Sequence, residues 1–257
     1  MLNEYVVKMS PIIITGLEGI PEVQKGDDIT DIIIKAASKQ GFILEDGDIV
    51  AITSKIVSKA EGRIVKLNDV DPSASALKFS KILDSDPRKV EVILSEAKRI
   101  VRMVRGLIIV ETRQGFVCAN GGVDTSNVES GFLVLLPKNS DRSARIIARN
   151  LKRKAGVDIA VIITDTFGRP WREGQTNVAI GVAGLFPLIS YVGTNDVHGN
   201  ELNATNMAVV DEIASASELA MGKLDKIPVA VVRGYKYERG KGSARRLVRK
   251  VSRDLFR

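Results

Sequence analysis

The segment VIITDTFGRPWREG, residues 161–174, begins as an apolar run and stops on Asp165 and Thr166; Arg169, Arg172 and Glu173 follow. A carboxylate and a hydroxyl are hard oxygen donors of the kind magnesium, manganese or calcium take, and guanidinium groups bind oxyanions. A divalent cation holding a phosphate chain is one chemistry that would use all of these groups. A second acid available to it is Asp124, in the glycine-led turn GVDTSNV (122–128), with Asn127 three residues on. Two carboxylates and the Thr166 hydroxyl would serve as protein ligands, and phosphate oxygens would complete the octahedron. The simpler alternative is that Asp124 and Asn127 cap their own turn. A third segment, SKIVSKAEGR (54–63), supplies Ser54, Lys55, Ser58, Lys59 and Arg63 directly after an apolar run. Hydroxyls and cations suit a polyphosphate or carboxylate site, and they equally suit a solvated loop. Arg169 and Arg172 likewise either meet substrate or pair with Glu173 and other surface acids.

Rare residue types narrow the chemistry. With one histidine, His198, and one cysteine, Cys118, the chain cannot build a multi-histidine zinc site, a cysteine cage or an internal disulfide. His198 lies in the polar loop TNDVHGNEL, where a surface position is expected, and Cys118 reads as a small buried residue. The 257 residues carry 38 Lys and Arg against 31 Asp and Glu. Residues 235–257 hold nine of those cations and two of the acids, so the rest of the chain is neutral and the excess sits in a basic tail. No apolar run approaches the roughly 20 residues that span a bilayer, and no signal-peptide pattern opens the chain, so a cytoplasmic location without membrane contact is expected.

The elements that must position these groups follow from periodicity. Residues 11–15, 48–53, 107–112, 132–136, 158–164 and 229–232 are rich in Ile and Val and read as strands, several as continuous apolar runs covered on both faces. Helices are predicted over 27–41, over 87–101 opening at Pro87, over 141–156 and over 205–222, each with apolar residues at three- and four-residue spacing. The tail is predicted to be a loop and then a helix whose Ala244, Leu247, Val248, Val251 and Leu255 dock on the body. Glycines around GVAGL read as packing positions. The whole is expected to be one α+β domain over 1–257, with mixed sheets and packed helices. Neither phosphate motif in common use is present. The nearest imitation of a P-loop, GYKYERGKGS, has five residues between Gly234 and Gly240 and puts Gly242 in the Ser/Thr place. No G-x-G-x-x-G follows a strand, so a Rossmann fold has no support.

Taken together, SKIVSKAEGR, GFVCANGGVDTSNV, VIITDTFGRPWREGQTNVAIGVAGL, GTNDVHGNEL and ELAMGK…IPVAVVRG resemble the coenzyme F420-0:γ-glutamyl ligase family, in order from about residue 12 to 234. The resemblance implies an unusual ligase fold, a homodimer, and a chain that ends before the flavin-binding domain fused to some relatives. It implies GTP-dependent ligation of L-glutamate to coenzyme F420-0 through an acyl phosphate, releasing GDP and phosphate, with further γ-linked glutamates added by repetition. No side-chain nucleophile is needed. Asp124 and Asp165 look like ligands of one magnesium or manganese ion and Thr166 like a ligand of a second, with potassium a further candidate ion. Ser54, Lys55, Lys59 and Asn127 resemble nucleotide contacts, as do Ile20, Pro21, Glu22 and Val23. The loop Met221, Gly222, Lys223, Leu224, Asp225, Lys226 and Ile227 resembles another nucleotide-binding segment. It departs from a better-known form in which a glutamate after the glycine helps hold the second ion. Lys223 stands there, so either Asp225 or another acid substitutes or that ion is held differently. Arg169 and Arg172 fall outside what the resemblance carries over; at least one of them is expected to bind substrate carboxylate or phosphate, since both substrates are anions. Two rival functions use the same parts: a metal-dependent nucleotide hydrolase with water as acceptor, and, less favoured, a nucleic-acid-binding protein acting through the basic tail.

Overall fold

The computed structural model describes residues 11–254. Along the chain come β1 (Ile13–Gly16), α1 (Ile29–Lys39), β2 (Ile49–Thr53) and α2 (Ser54–Ala60). The middle holds β3 (Ile64–Lys66), α3 (Ala74–Leu83), α4 (Pro87–Glu96), β4 (Ala97–Val104), β5 (Leu107–Thr112), β6 (Val117–Ala119) and β7 (Phe132–Val134). Then follow α5 (Ser140–Ala155), β8 (Ala160–Arg169), β9 (Arg172–Leu185), β10 (Ile189–Ser190), β11 (Asn206–Met207), α6 (Val209–Met221), β12 (Val229–Arg233) and β13 (Arg239–Gly240). Helices interleave with several sheets, a mixed α and β architecture.

A six-stranded sheet in the order β1-β12-β2-β8-β9-β13 forms the centre. Its one parallel pair is β2 with β8; every other neighbour is antiparallel. The sheet is covered on both sides. Gly16 packs on the carbonyl of Ala220 in α6, and the register Gly16↔Ala230↔Ala51↔Ile162 carries that face across four strands. Gly181 packs on Ser140 in α5 and pairs with Ile163, the next residue along β8, so α5 covers the opposite face. A side chain at either glycine would strike backbone, at 2.7 Å from the Ala220 oxygen and 2.5 Å from Ser140. This double cover is why residues 49–52 and 160–163 are apolar throughout and fully buried.

Helix starts follow the expected chemistry. Asp28 accepts from Thr30 N at 2.8 Å to cap α1, Asn139 accepts from Arg142 N at 3.0 Å to cap α5, and Pro87 opens α4 behind the cap Asp86. Gly156, left-handed at φ 73°, ends α5. A second apolar cluster, including Leu83, Val90, Ile93, Ile108, Val110 and Leu133, joins α3 and α4 to the sheet β4-β5-β6 and to the β3–β7 pair. At the other end of the main sheet, Arg233 donates to both oxygens of Asp48, at 2.8 and 2.7 Å, and lies 4.7 Å over the Phe42 ring.

Three expectations are corrected. The helix predicted over 87–101 ends at Glu96, and Ala97–Val104 is a strand paired with β5. Ala97, Ile100 and Val101 fit a helical stripe and a strand alike, and pairing with β5 decides between them. The segment 54–60, open between a ligand-binding run and a solvated loop, is a helix whose Ser54, Ile56, Val57, Ser58 and Lys59 are buried. The predicted tail helix is replaced by β13 and two 3₁₀ turns, Ala244–Leu247 and Val251–Arg253. Asp141 on α5 pins the tail by accepting from Ser243 Oγ at 2.5 Å and from Ala244 N at 2.9 Å. The three-residue spacing of Ala244–Leu247 and Val248–Val251 suits 3₁₀ geometry, in which such residues eclipse. Leu247 and Val248 pack on the core, Val251 is exposed, and Leu255 lies outside the described residues. No helix among the described residues is long and apolar enough to cross a membrane.

Candidate functional site

The parallel pairing of β2 with β8 ends at Thr53↔Thr164, so the next residues, Ser54 and Asp165, emerge side by side despite 111 positions of separation. Ser54 Oγ donates to Asp165 Oδ1 at 2.9 Å. Ser54 also opens α2, and the next residue, Lys55, reaches Asp124: Lys55 Nζ lies 2.7 Å from Asp124 Oδ2 and donates to Ser126 Oγ. Asp124 is held from behind by reciprocal 2.9 Å backbone hydrogen bonds with Val134 and from within its turn by Ser126 N and Oγ, at 2.8 and 2.9 Å. The capping role foreseen for Asp124 is therefore real, and it leaves the carboxylate aimed at Lys55. One turn further along α2, Lys59 is buried, ion-paired to Glu22, and donates to the Asn127 carbonyl at 2.7 Å. Asn127 takes a left-handed conformation, φ 57°, that presents that carbonyl.

The environment separates the two carboxyls. Burial, with the nearby charge of Asp124 adding to it, pushes Asp165 from 3.8 up to about 6 against the opposing pull of the Ser54 hydroxyl, the Thr166 N–H and Lys55. Burial acts in the same direction on Asp124, but the Lys55 ammonium and the Ser126 donors outweigh it and hold its carboxyl below the usual range. Asp124 and Asp165 thus feel one another and share Lys55, one ready to ionise and the other short of positive charge. Cys118, beside them, is pushed up to about 12 by burial and by the Asp165 charge, which suits an inert thiol.

Thr166 follows Asp165 on the same strand and so faces the other side of the hairpin. There Thr166 Oγ1 donates to Asn177 Oδ1 at 2.7 Å, Asn177 Nδ2 donates to Glu218 Oε2, and Lys223 Nζ lies 2.7 Å from both Glu218 Oε1 and Thr166 Oγ1. Among the described residues no group of three or more His, Cys, Asp or Glu side chains gathers for a metal. Just past the end of its pairing with β2, β8 therefore presents two polar clusters, one on each face, one of carboxylates and lysines and one closed around an ammonium.

Comparison with known proteins identifies the family. Residues 19–234 match the model of the F420-0:gamma-glutamyl ligase family. The chain belongs to this ligase family. A coenzyme F420:L-glutamate ligase of Methanothermobacter thermautotrophicus is 45% identical over 249 residues, covering 96% of this chain and 99% of the relative. One of Methanopyrus kandleri is 45% identical, covering 94% and 97%, and one of Methanocaldococcus jannaschii is 43% identical over 217 residues, covering 84% and 87%.

The segments that resemble this ligase family converge unevenly. Glu22 reaches the cluster through Lys59; Ile20 and Pro21 lie on the same loop, and Val23 is buried in the core. In the loop after α6, Met221 is buried against Ala51 and Ala230, Ile227 packs beside Gly16, and Lys223 meets Thr166. Gly222, Leu224, Asp225 and Lys226 are exposed. Arg169 and Arg172 pair across the tip of the β8–β9 hairpin, and Arg169 turns back to donate to its own hairpin, at Glu173 O, 2.7 Å. They are not brought to the carboxylates; four residues of extended strand separate Arg169 from Asp165, about 13 Å. Asn177, Glu218 and Ser126 were missed in the sequence. Ser126 could have been found from its place two residues after Asp124, the spacing of a side chain that closes its own turn. His198 is exposed in its loop, as expected. The tail borders an open cleft of about 350 Å³ lined by Lys98, Arg113, Arg245 and Lys250, with Glu111 ion-paired to Lys98 and Arg99 at its wall.

Proposed function

We propose that this chain ligates L-glutamate to coenzyme F420-0 using GTP, passing through an acyl phosphate and releasing GDP and phosphate. What carries the reading is near end-to-end similarity to relatives named coenzyme F420:L-glutamate ligase. The grouping of Ser54, Lys55, Lys59, Asp124 and Asp165 supports its phosphate-handling part. In the first step a carboxylate oxygen of F420-0 attacks the terminal phosphorus of GTP and GDP departs. In the second the glutamate amine attacks the acyl carbon, phosphate leaves, and the amine proton passes to water. The same cycle on the newly added side-chain carboxylate would extend a γ-linked chain. Lys55 and Lys59, on one face of α2, supply fixed positive charge for the phosphates, where electrostatic stabilisation dominates the catalysis.

The residues fit a hard divalent ion, magnesium or manganese. Asp165, Asp124 and Ser54 offer hard oxygen ligands, and burial holds the Asp165 carboxyl near 6 despite Lys55, so further positive charge beside it would be favourable. Asp124 and Asp165 would hold the ion, which when bound would neutralise charge on the terminal phosphates. A two-fold homodimer belongs to this reading, and sedimentation velocity reports it.

The test is mass spectrometry of the deazaflavin after incubation with GTP, glutamate and magnesium or manganese. Masses rising by glutamyl increments support ligation. Phosphate release independent of glutamate and F420-0, with unchanged deazaflavin mass, would establish the nucleotide hydrolase instead.

A further inference from the structure

We infer that Lys223 is a built-in cation for the anionic substrate at the Thr166 face of β8, occupying the position a second divalent ion would otherwise take. The inference deepens the ligase reading and rests on it. Three observations carry it.

The first is the bonding of the threonine. Its hydroxyl has one proton and two lone pairs. The proton goes to Asn177 Oδ1 at 2.7 Å, and one lone pair accepts from Lys223 Nζ at 2.7 Å. A metal ion coordinated by Thr166 Oγ1 would stand within a few ångströms of the Lys223 ammonium with Glu218 alone to offset both charges, whereas beside Lys55 two carboxylates, Asp124 and Asp165, leave negative charge for an ion.

The second is that the surrounding acid is already committed. Glu218 Oε1 pairs with Lys223 at 2.7 Å and Oε2 accepts from Asn177 Nδ2, so the four side chains Thr166, Asn177, Glu218 and Lys223 form a closed ring of satisfied partners. Asn177 is almost fully buried and Glu218 largely so, which anchors the ring to β9 and α6. A network with every member satisfied holds its geometry; breaking one link leaves buried polar atoms unpaired.

The third is where the ammonium points. Lys223 sits two residues beyond the end of α6, just after Gly222, and its side chain is 60% exposed. Of its three N–H donors, two are used by Thr166 and Glu218. The third is available to an oxyanion arriving from solvent at the edge of β8 just past the end of its pairing with β2, where Asp165 and Lys55 lie on the other face. A phosphate chain crossing that edge would meet the Asp124 and Asp165 carboxylates with Lys55 on one flank and Lys223 on the other. An acid at position 223 could not serve in this ring, because Glu218 would then face a like charge.

The experiment counts bound manganese and measures nucleotide affinity, neither of which depends on turnover. The intact protein is titrated with Mn²⁺ at saturating non-hydrolysable guanosine triphosphate analogue, with free Mn²⁺ read by electron paramagnetic resonance. Wild type is expected to bind one tight Mn²⁺ per chain. Lys223→Gln is expected to weaken the triphosphate analogue at least tenfold in calorimetry, with Lys223→Arg recovering most of the loss. Lys223→Glu, which turns the ammonium into a carboxylate beside Glu218, is expected to admit a second Mn²⁺. Two tight Mn²⁺ per wild-type chain, or unchanged analogue affinity in Lys223→Gln, would overturn the inference while leaving glutamyl transfer intact. No binding of the analogue by wild type would remove the inference and the GTP-dependent reading together.

Discussion

Replacing Asp165 by asparagine should make the ligand-free protein more stable while abolishing its response to divalent cation and nucleotide. The carboxyl is raised from 3.8 to about 6, so it costs folding energy whenever it is ionised. That rise corresponds to about 3 kcal/mol at about 1.36 kcal/mol per pH unit. Asparagine keeps an acceptor for the Ser54 hydroxyl but loses one oxygen, which returns about 1 kcal/mol and leaves a net gain of about 2 kcal/mol. At about 2–4 °C per kcal/mol for a chain of this size, the midpoint should rise by about 4–8 °C at pH 7.5. The sign follows from proton linkage. Between 3.8 and 6 the folded form binds more protons than the unfolded one, so wild-type stability falls as pH rises through this window, and above 6 the full penalty stands. The advantage of Asp165→Asn should therefore disappear by pH 4. Thermal melts at pH 4 and 7.5, with and without Mn²⁺ and a GTP analogue, read both effects. Equal or lower stability of the variant at pH 7.5, or a gain that persists unchanged at pH 4, would refute the claim that this carboxyl is buried against its preference for charge.

Lys55→Gln removes a cation that lowers both carboxyls, so half-maximal Mn²⁺ binding, followed against pH, should shift to higher pH than in wild type. Asp141→Ala leaves Val182 N, Ala244 N and Ser243 Oγ without their acceptor and should cost about 3–5 kcal/mol in urea denaturation, releasing the tail to proteolysis. Gly222 holds φ +61° and ψ −178°, backbone that a residue with a Cβ avoids, so Gly222→Ala should shift the loop as well as displace the exposed Asp225 carboxylate; analogue affinity should fall about tenfold or more, with the melting midpoint little changed because the loop is exposed.

The same physics explains what could be read without coordinates. The runs 49–52 and 160–163 were legible as strands because double cover by α5 and α6 demands unbroken apolar side chains, a requirement written locally in each strand. Oxygen donors placed where such a run stops were legible for the same reason: polarity there breaks the burial rule. The helix over 87–101 was half legible, since the same spacing satisfied a helix up to Glu96 and a strand beyond it.

The sequence alone excluded histidine- and cysteine-based sites, by offering one cysteine and one histidine, and put forward Asp124, Asp165, Thr166, Lys55 and Lys59 as candidate groups. Tertiary structure decided their company. The register of β2 against β8 joined Ser54 to Asp165 across 111 residues, and the docking of α6 on β9 delivered Glu218 to Asn177 across 41. Alternation along β8 then assigned Asp165 and Thr166 to separate clusters, one gathered around Lys55 and the other around Lys223. Periodicity is a local property and survives in the sequence, whereas the partner of a buried charge is set by packing between segments far apart in the chain, and no local pattern records it.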